Sequence, residues 1–219
     1  MSISRKRLSL IPEERNSARN LDLRISYASD IENFDVSKLV YLDETGFNLH
    51  TSSKYGYSEK NTKAYLTVPA NKGINISLMC AINKDNVIGF EIIDGAFNGD
   101  IFKTYTDNHL VPFFNANRDS ILILDNCRFH HRHDVIRLLR QFNIGYRFLP
   151  PYSPQLNPIE EFFASVKGRY NMVRPRPSSR SDLKRVLENI LRTIDYSLEP
   201  LFLKAKRFLE LALSRRPFI

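Results

Sequence analysis

Apolar residues fall along this chain in two rhythms. Short unbroken runs alternate with stretches in which they recur every three or four positions. The run 39–42 (Leu-Val-Tyr-Leu) predicts a short strand, and 121–124 (Ile-Leu-Ile-Leu) a central strand covered on both faces. The runs 74–82 and 87–93 flank Asn83-Lys-Asp-Asn86, a good turn sequence, and predict an antiparallel hairpin. A further strand is predicted over 144–149. Helical spacing appears over 98–114, where Pro112 should end or kink the helix, and over 131–143 through Val135, Ile136, Leu138, Leu139 and Phe142. Three more helices are predicted at about 158–171, 180–196 and 198–213, the second opened by Ser179-x-x-Asp182. Strands alternating with helices in the second half argue for an α/β fold with a mixed sheet flanked by helices. Residues 1–35 are polar and charged and read as an arm or a short helix. The α/β unit then occupies 36–197, and 198–219 form a terminal helix. The stretch 51–72, rich in Ser, Lys, Asn, Tyr and Thr, reads as a loop or hairpin turning at Tyr55-Gly-Tyr57.

Composition narrows the function. The 219 residues fit one medium domain with an appendage, and 42% hydrophobic content is enough for a core. Lys and Arg number 32 against 24 Asp and Glu, a net charge of +8. That balance favours a polyanionic partner such as nucleic acid; the plainer alternative is a merely basic soluble protein. Cys80 and Cys127 sit in or beside apolar runs and read as buried free thiols in a reducing compartment. With no signal peptide and no membrane span visible, the expectation is a soluble intracellular protein with no membrane partner.

Three carboxylates carry the candidate chemistry. Asp43 and Asp125 each follow an apolar strand, and Glu160 opens an amphipathic helix, with 34 residues between Asp125 and Glu160. Each has a structural alternative. An Asp after a strand often only caps a turn, and Asn157-Pro158-Ile159-Glu160 is a sound helix start with Asn as N-cap, Pro at the first helical position and Glu reaching back. In an extended chain Glu44 points away from the face of Asp43, and Glu161 lies about 100° further round the helix than Glu160. Asp43 and Glu160 are therefore the better candidates. Ligands bind in α/β sheets beyond the carboxyl ends of the strands. Three carboxylates gathered there make a hard oxygen site for a pair of divalent cations, suited to in-line phosphodiester chemistry.

At these residues the chain resembles the DDE transposases of the mariner superfamily, including their bacterial insertion-sequence relatives. Leu42-Asp-Glu-Thr-Gly-Phe47 is similar to the family's first-aspartate strand. Leu124-Asp-Asn-Cys-Arg-Phe-His130 is similar to its second-aspartate motif, and Leu149-Pro-Pro-Tyr-Ser-Pro-Gln-Leu-Asn-Pro-Ile-Glu160 to its most recognisable segment. Together with lesser similarities the resemblance covers roughly residues 5–195. It implies a ribonuclease-H-like fold, with Asp43, Asp125 and Glu160 as catalytic residues and ligands of Mg²⁺ or Mn²⁺, two ions in number. It implies nicking at transposon ends followed by attack of the freed 3′ hydroxyl on target DNA. Asn126 and His130 sit in the motif as site-supporting residues; a packing role for His130 is the alternative. The implied partner is DNA, both transposon ends and target, with no small-molecule substrate; a homodimer is the further possibility left open.

Other segments qualify this reading. From Phe162 to Ser181 there is no acidic residue, while Lys167, Arg169, Arg174 and Arg176 fall close after Glu160. These predict phosphate contacts, an ordinary solvated face being the alternative. The terminal helix leaves open both packing on the domain and pairing with a second subunit. Family members carry two N-terminal helix-turn-helix modules, whereas only 42 residues precede Asp43. The expectation is thus a catalytic domain without its sequence-reading half, binding DNA with little sequence preference. A nuclease or resolvase on the same fold, and a non-catalytic DNA-binding remnant, are the rival readings.

Overall fold

The computed structural model describes residues 10–49, 55–67 and 75–218. Arg5, Lys6 and Arg7 of the basic arm, and Ile74 at the head of the expected hairpin, lie outside the described residues.

Five strands form one mixed sheet in the order β3-β2-β1-β4-β5. The expected hairpin is β2 (Ile76–Ile82) and β3 (Val87–Asp94), antiparallel to each other, with β2 antiparallel to β1 (Leu39–Phe47). On its other side β1 runs parallel to β4 (Ile121–Leu124), and β4 parallel to β5 (Gly145–Phe148). Strand β1 is longer than the apolar run suggested. Asp43 does not leave the sheet, because pairing with β2 continues from Tyr41 opposite Ile82 to Phe47 opposite Ile76. Pairing with β4 stops at Leu42 opposite Leu124. Asp43 therefore stands where one neighbour ends and the other goes on.

Period-two alternation divides the sheet between two cores. Leu39, Tyr41, Leu78, Cys80 and Ile123 face one, closed by α1 (Ala18–Ile31), α5 (Pro158–Met172), α6 (Arg180–Arg192) and α7 (Glu199–Leu213). Val40, Leu42, Met79, Ala81, Leu122 and Leu124 face the other, closed by α2 (Gly99–Tyr105), α3 (Val111–Ala116) and α4 (His133–Gln141). The helix expected over 98–114 exists but is not uniform. A π turn at Thr106–Leu110 joins α2 to α3, and Pro112 falls in the first turn of α3 instead of ending the run. There its missing N–H costs little. Asn98 caps α2 by accepting from the Ile101 N–H at 3.0 Å, and Ser179 caps α6 by accepting from the Asp182 N–H at 3.1 Å.

The polar stretch before β1 contains α1, which packs on α7 and buries Tyr27, Ala28 and Ile31. It also buries Arg24 completely. That guanidinium donates to Ser153 Oγ at 2.8 Å, Asn16 Oδ1 at 3.0 Å, the Tyr152 carbonyl at 3.1 Å and the Arg15 carbonyl. It stacks on the Phe218 ring at 4.3 Å, and Asn16 Oδ1 accepts from the Phe218 N–H at 3.1 Å. A buried charge is tolerable only when its donors are largely satisfied, and these acceptors take four of the five N–H groups of the guanidinium. We expect Arg24→Ala to lower unfolding free energy by roughly 2–4 kcal/mol in urea denaturation. Arg24→Lys should recover less than half of that loss, since one ammonium cannot span the planar fork of acceptors.

Candidate active site

The register places the two aspartates before any side chain is considered. Asp43 is one residue past the last β1–β4 pair, and Asp125 one residue past the same pair on β4. Asp43 shares the face of Tyr41, and Asp125 continues the alternation of Ile123, both toward α5. Glu160 lies in the first turn of α5. The three carboxylates line one cleft of about 410 Å³, together with Asn126, Cys127 and Asn157 and a wall made by residues 149–154. Sequence spacing offered these three acids, and the fold brings all of them to one place. Glu44 faces the opposite core, and Glu161 pairs with Lys204 of α7, so neither neighbour competes for the cleft.

Polar hydrogens surround the acids. Asp43 is 7% exposed. Its Oδ1 accepts from the Glu44 N–H at 2.7 Å and its Oδ2 from Asn157 Nδ2 at 2.9 Å. Asn157 was expected to cap α5 with its side chain; it stands at the N-cap but makes no such bond. The amide is turned to Asp43 instead, and this site contact was missed. Its only sequence signal was its place three residues before Glu160. Asp125 Oδ1 accepts from the Cys127 N–H at 3.2 Å and lies 2.6 Å from His130 Nδ1. His130 is wholly buried, with Nε2 at 3.5 Å from Glu44 Oε1. Asn126 Oδ1 is hydrogen-bonded to His131, whose ring stacks on Phe148 at 4.0 Å.

The charges respond to this crowding. Burial, aided by the neighbouring charges of Asp125, Glu160 and Glu44, pushes the Asp43 carboxyl up to about 7. Burial also acts against the charged forms of Asp125 and His130, but their mutual bond outweighs it. Asp125 is held below the usual carboxylate range, and His130, aided by Cys127 and Glu44, well above that of a histidine. An oxygen-only set of acids, one reluctant to ionise for want of a counter-charge, fits hard divalent cations.

The basic residues predicted to touch DNA separate in space. Lys167 stands seven residues after Glu160 on α5, hence on the same helix face. It donates to Thr45 Oγ1 at 2.6 Å, two residues beyond Asp43 on β1. Arg169, nine residues from Glu160, lies on the far side of α5 over the Tyr196 ring at 5.1 Å. Arg174 is exposed and Arg176 lies over Tyr170 at 4.4 Å; both border a separate cleft with Tyr55, Tyr57 and Tyr65.

The sequence profile described as DDE superfamily endonuclease matches residues 38–184, a span that begins just before β1 and ends within α6. The chain belongs to the DDE superfamily of endonucleases. No curated protein sequence matches it significantly. Among solved structures, the Mos1 strand transfer complex aligns with a TM-score of 0.77 at 18% identity, over 100% of this chain and 67% of that one. The Mos1 mariner paired end complex with Mn aligns at 0.76 and 19% identity, again over 100% and 67%. The catalytic domain of Mos1 mariner transposase aligns at 0.69 and 16% identity, over 96% and 98%. The fold of this DDE endonuclease is thus the ribonuclease-H-like one of that domain, and the chain spans about two thirds of the longer Mos1 chains.

The Asp43 carboxyl gives this endonuclease a measurable pH signature. Its value in the folded chain, about 7, lies above its ordinary 3.8. Protonation therefore favours folding: the contribution is complete below 3.8 and is lost as pH rises through about 7. In chelator, the difference in unfolding free energy between Asp43→Asn and the unaltered chain should move in favour of the variant by roughly 2–4 kcal/mol from pH 4 to pH 8. Asparagine keeps an acceptor for Asn157 and carries no charge. A flat difference across that range would show that Asp43 ionises normally.

Proposed function

We propose that this DDE endonuclease is the catalytic domain of a transposase, cutting DNA and joining the freed 3′ end to a target with two Mg²⁺ or Mn²⁺ ions. The observation that carries the reading is the convergence of Asp43, Asp125 and Glu160, from three separate elements, on one cleft. Bound divalent ions would supply the activation of the attacking oxygen and the neutralisation of the leaving one. Asp43 and Asp125 at the strand ends and Glu160 on α5 would hold the ions. His130 holds Asp125 from behind, Asn126 sets one wall of the cleft, and Asn157 holds Asp43.

Similar solved structures add support. Mos1 was solved as a strand transfer complex, as a paired end complex with Mn and as a catalytic domain with Mg. By that likeness, transposon ends and target DNA are the substrates, a second copy of the chain is the partner, and the compartment is wherever the host keeps its DNA. No described helix is long and apolar enough to cross a membrane. Lys167, Arg169, Arg174 and Arg176 are assigned to phosphate contacts, with Lys167 nearest the acids.

A plasmid-nicking and strand-transfer assay tests this directly. The chain with Mg²⁺ or Mn²⁺ should nick supercoiled DNA and join a 3′-hydroxyl oligonucleotide to it. Asp43→Asn, Asp125→Asn and Glu160→Gln should each lower both products by roughly a hundredfold or more. Nicking without joining would identify a nuclease on the same fold, and equal activity in Asp125→Asn would remove the site assignment.

The phosphate contacts have their own test. Lys167→Ala with Arg174→Ala should flatten the slope of log affinity against log salt by about two, equally for all DNA sequences. Fluorescence anisotropy in chelator measures it, and an unchanged slope would leave these side chains as a solvated surface.

A further inference from the structure

The two catalytic aspartates are joined through the interior as well as across the cleft. Strand β1 shows Asp43 to the cleft and Glu44 to the opposite face, beside the core of Val40 and Leu42. Below the sheet, the loop after β4 returns His130 to that face. The imidazole is 0% exposed, with ring centres of Phe102 at 6.3 Å and Phe129 at 5.5 Å. One nitrogen is 2.6 Å from Asp125 Oδ1 and the other 3.5 Å from Glu44 Oε1. Neither Glu44 Oε1 nor His130 Nε2 has a hydrogen-bond partner among the described residues. At ion-pair distance, each is the counterpart the other has.

We propose that Glu44 is a positioning residue for the metal site, holding the His130 ring so that its Nδ1–H is aimed at Asp125 Oδ1 and Asp125 Oδ2 is left to the cleft. The inference rests on the reading of Asp125 as a metal ligand. A carboxylate only accepts hydrogen bonds, whereas an imidazole can turn either edge toward a partner. With a carboxylate facing each edge, one at hydrogen-bond and one at ion-pair distance, the ring is held in rotation as well as in place. Asp125 Oδ1 is then saturated by His130 and the Cys127 N–H, and Oδ2 takes no hydrogen bond among the described residues. Consecutive residues of β1 thus serve the two strand-end ligands. Asp43 acts directly and Glu44 acts through the histidine, which ties the position of Asp125 to β1 itself. A ligand held by such an outer partner loses about ten- to a hundredfold in metal affinity when the partner is removed.

Removing Glu44 while keeping its shape separates positioning from packing. We expect Glu44→Gln, which retains an acceptor at Oε1, to bind Mn²⁺ within about threefold of the unaltered chain by calorimetry. Glu44→Leu should bind at least about tenfold more weakly, while its DNA affinity in chelator stays unchanged. His130→Gln should match Glu44→Leu, and the double variant should be no worse than His130→Gln alone. Non-additivity of that kind is the mark of action through the histidine, which a purely structural contribution lacks. Unchanged Mn²⁺ affinity in Glu44→Leu, or its full effect added on top of His130→Gln, would overturn the proposal. Should Glu44→Leu not fold, Glu44→Met, which is close in size and offers no oxygen acceptor, decides by the same calorimetry: Mn²⁺ affinity about tenfold weaker supports the proposal, and unchanged affinity overturns it. A chain that binds Mn²⁺ but nicks no DNA counts against the transposase reading alone, because the affinity ratios still judge Glu44.

Discussion

Like charges forced together in a half-buried place are the constraint on which this molecule is built. A carboxylate pair a few ångströms apart repels by several kcal/mol where water is partly excluded. The chain offsets this with hydrogens placed around the outside of the cluster. Backbone N–H groups of Glu44 and Cys127, the Asn157 amide and the His130 ring all point at Asp43 or Asp125. Glu160 stands in the first turn of α5, where the helix dipole favours negative charge. These donors act from the side and back, so the acids keep a common open side. Cations arriving there would complete a charge balance the protein leaves unfinished.

Donors aimed so closely need a rigid frame. Two cores supply it, one on each side of the sheet, and β1 belongs to both. The loop between β5 and α5 is the exception, since it covers an edge and not a face. Prolines 150, 151, 154 and 158 limit its freedom, and Arg24 pins it through Ser153 and the Tyr152 carbonyl. The same guanidinium gathers Asn16 and Phe218, so segments near both ends of the chain brace the wall of the cleft. Stability and site geometry meet in that one side chain.

The basic residues that follow Glu160 in the chain are less available than their number implies. Arg169 and Arg176 lie on tyrosine rings, and Lys167 lies 5.6 Å from the Phe47 ring while bonded to Thr45. Cations held this way present a fixed direction to a phosphate and lose less side-chain entropy on contact. Arg174, exposed and among the described residues bonded only to nearby carbonyls, keeps more freedom.

Local signals determined much of this protein. Apolar runs located the strands, most sharply β4 and the first half of β1, where burial on both faces leaves no room for polar residues, and helical spacing located α4 to α7. The three acids were legible because two directly follow short apolar runs and the third opens an amphipathic helix. Long-range pairing was not. That β1 continues to Phe47 depends on β2, and the π turn before Pro112 on how α2 and α3 fit the sheet. Asn157 looked like a cap, since caps are read from neighbours, but its amide is claimed by an aspartate 114 positions earlier. Arg24 looked like one charge of a polar arm, yet it is buried by loops that only the closed fold brings to it. Glu44 looked like a neighbour to set aside, and the tertiary structure gave it a histidine on the other face. Periodicity reports which side of an element is buried, whereas the identity of what meets it there depends on segments far apart in the chain.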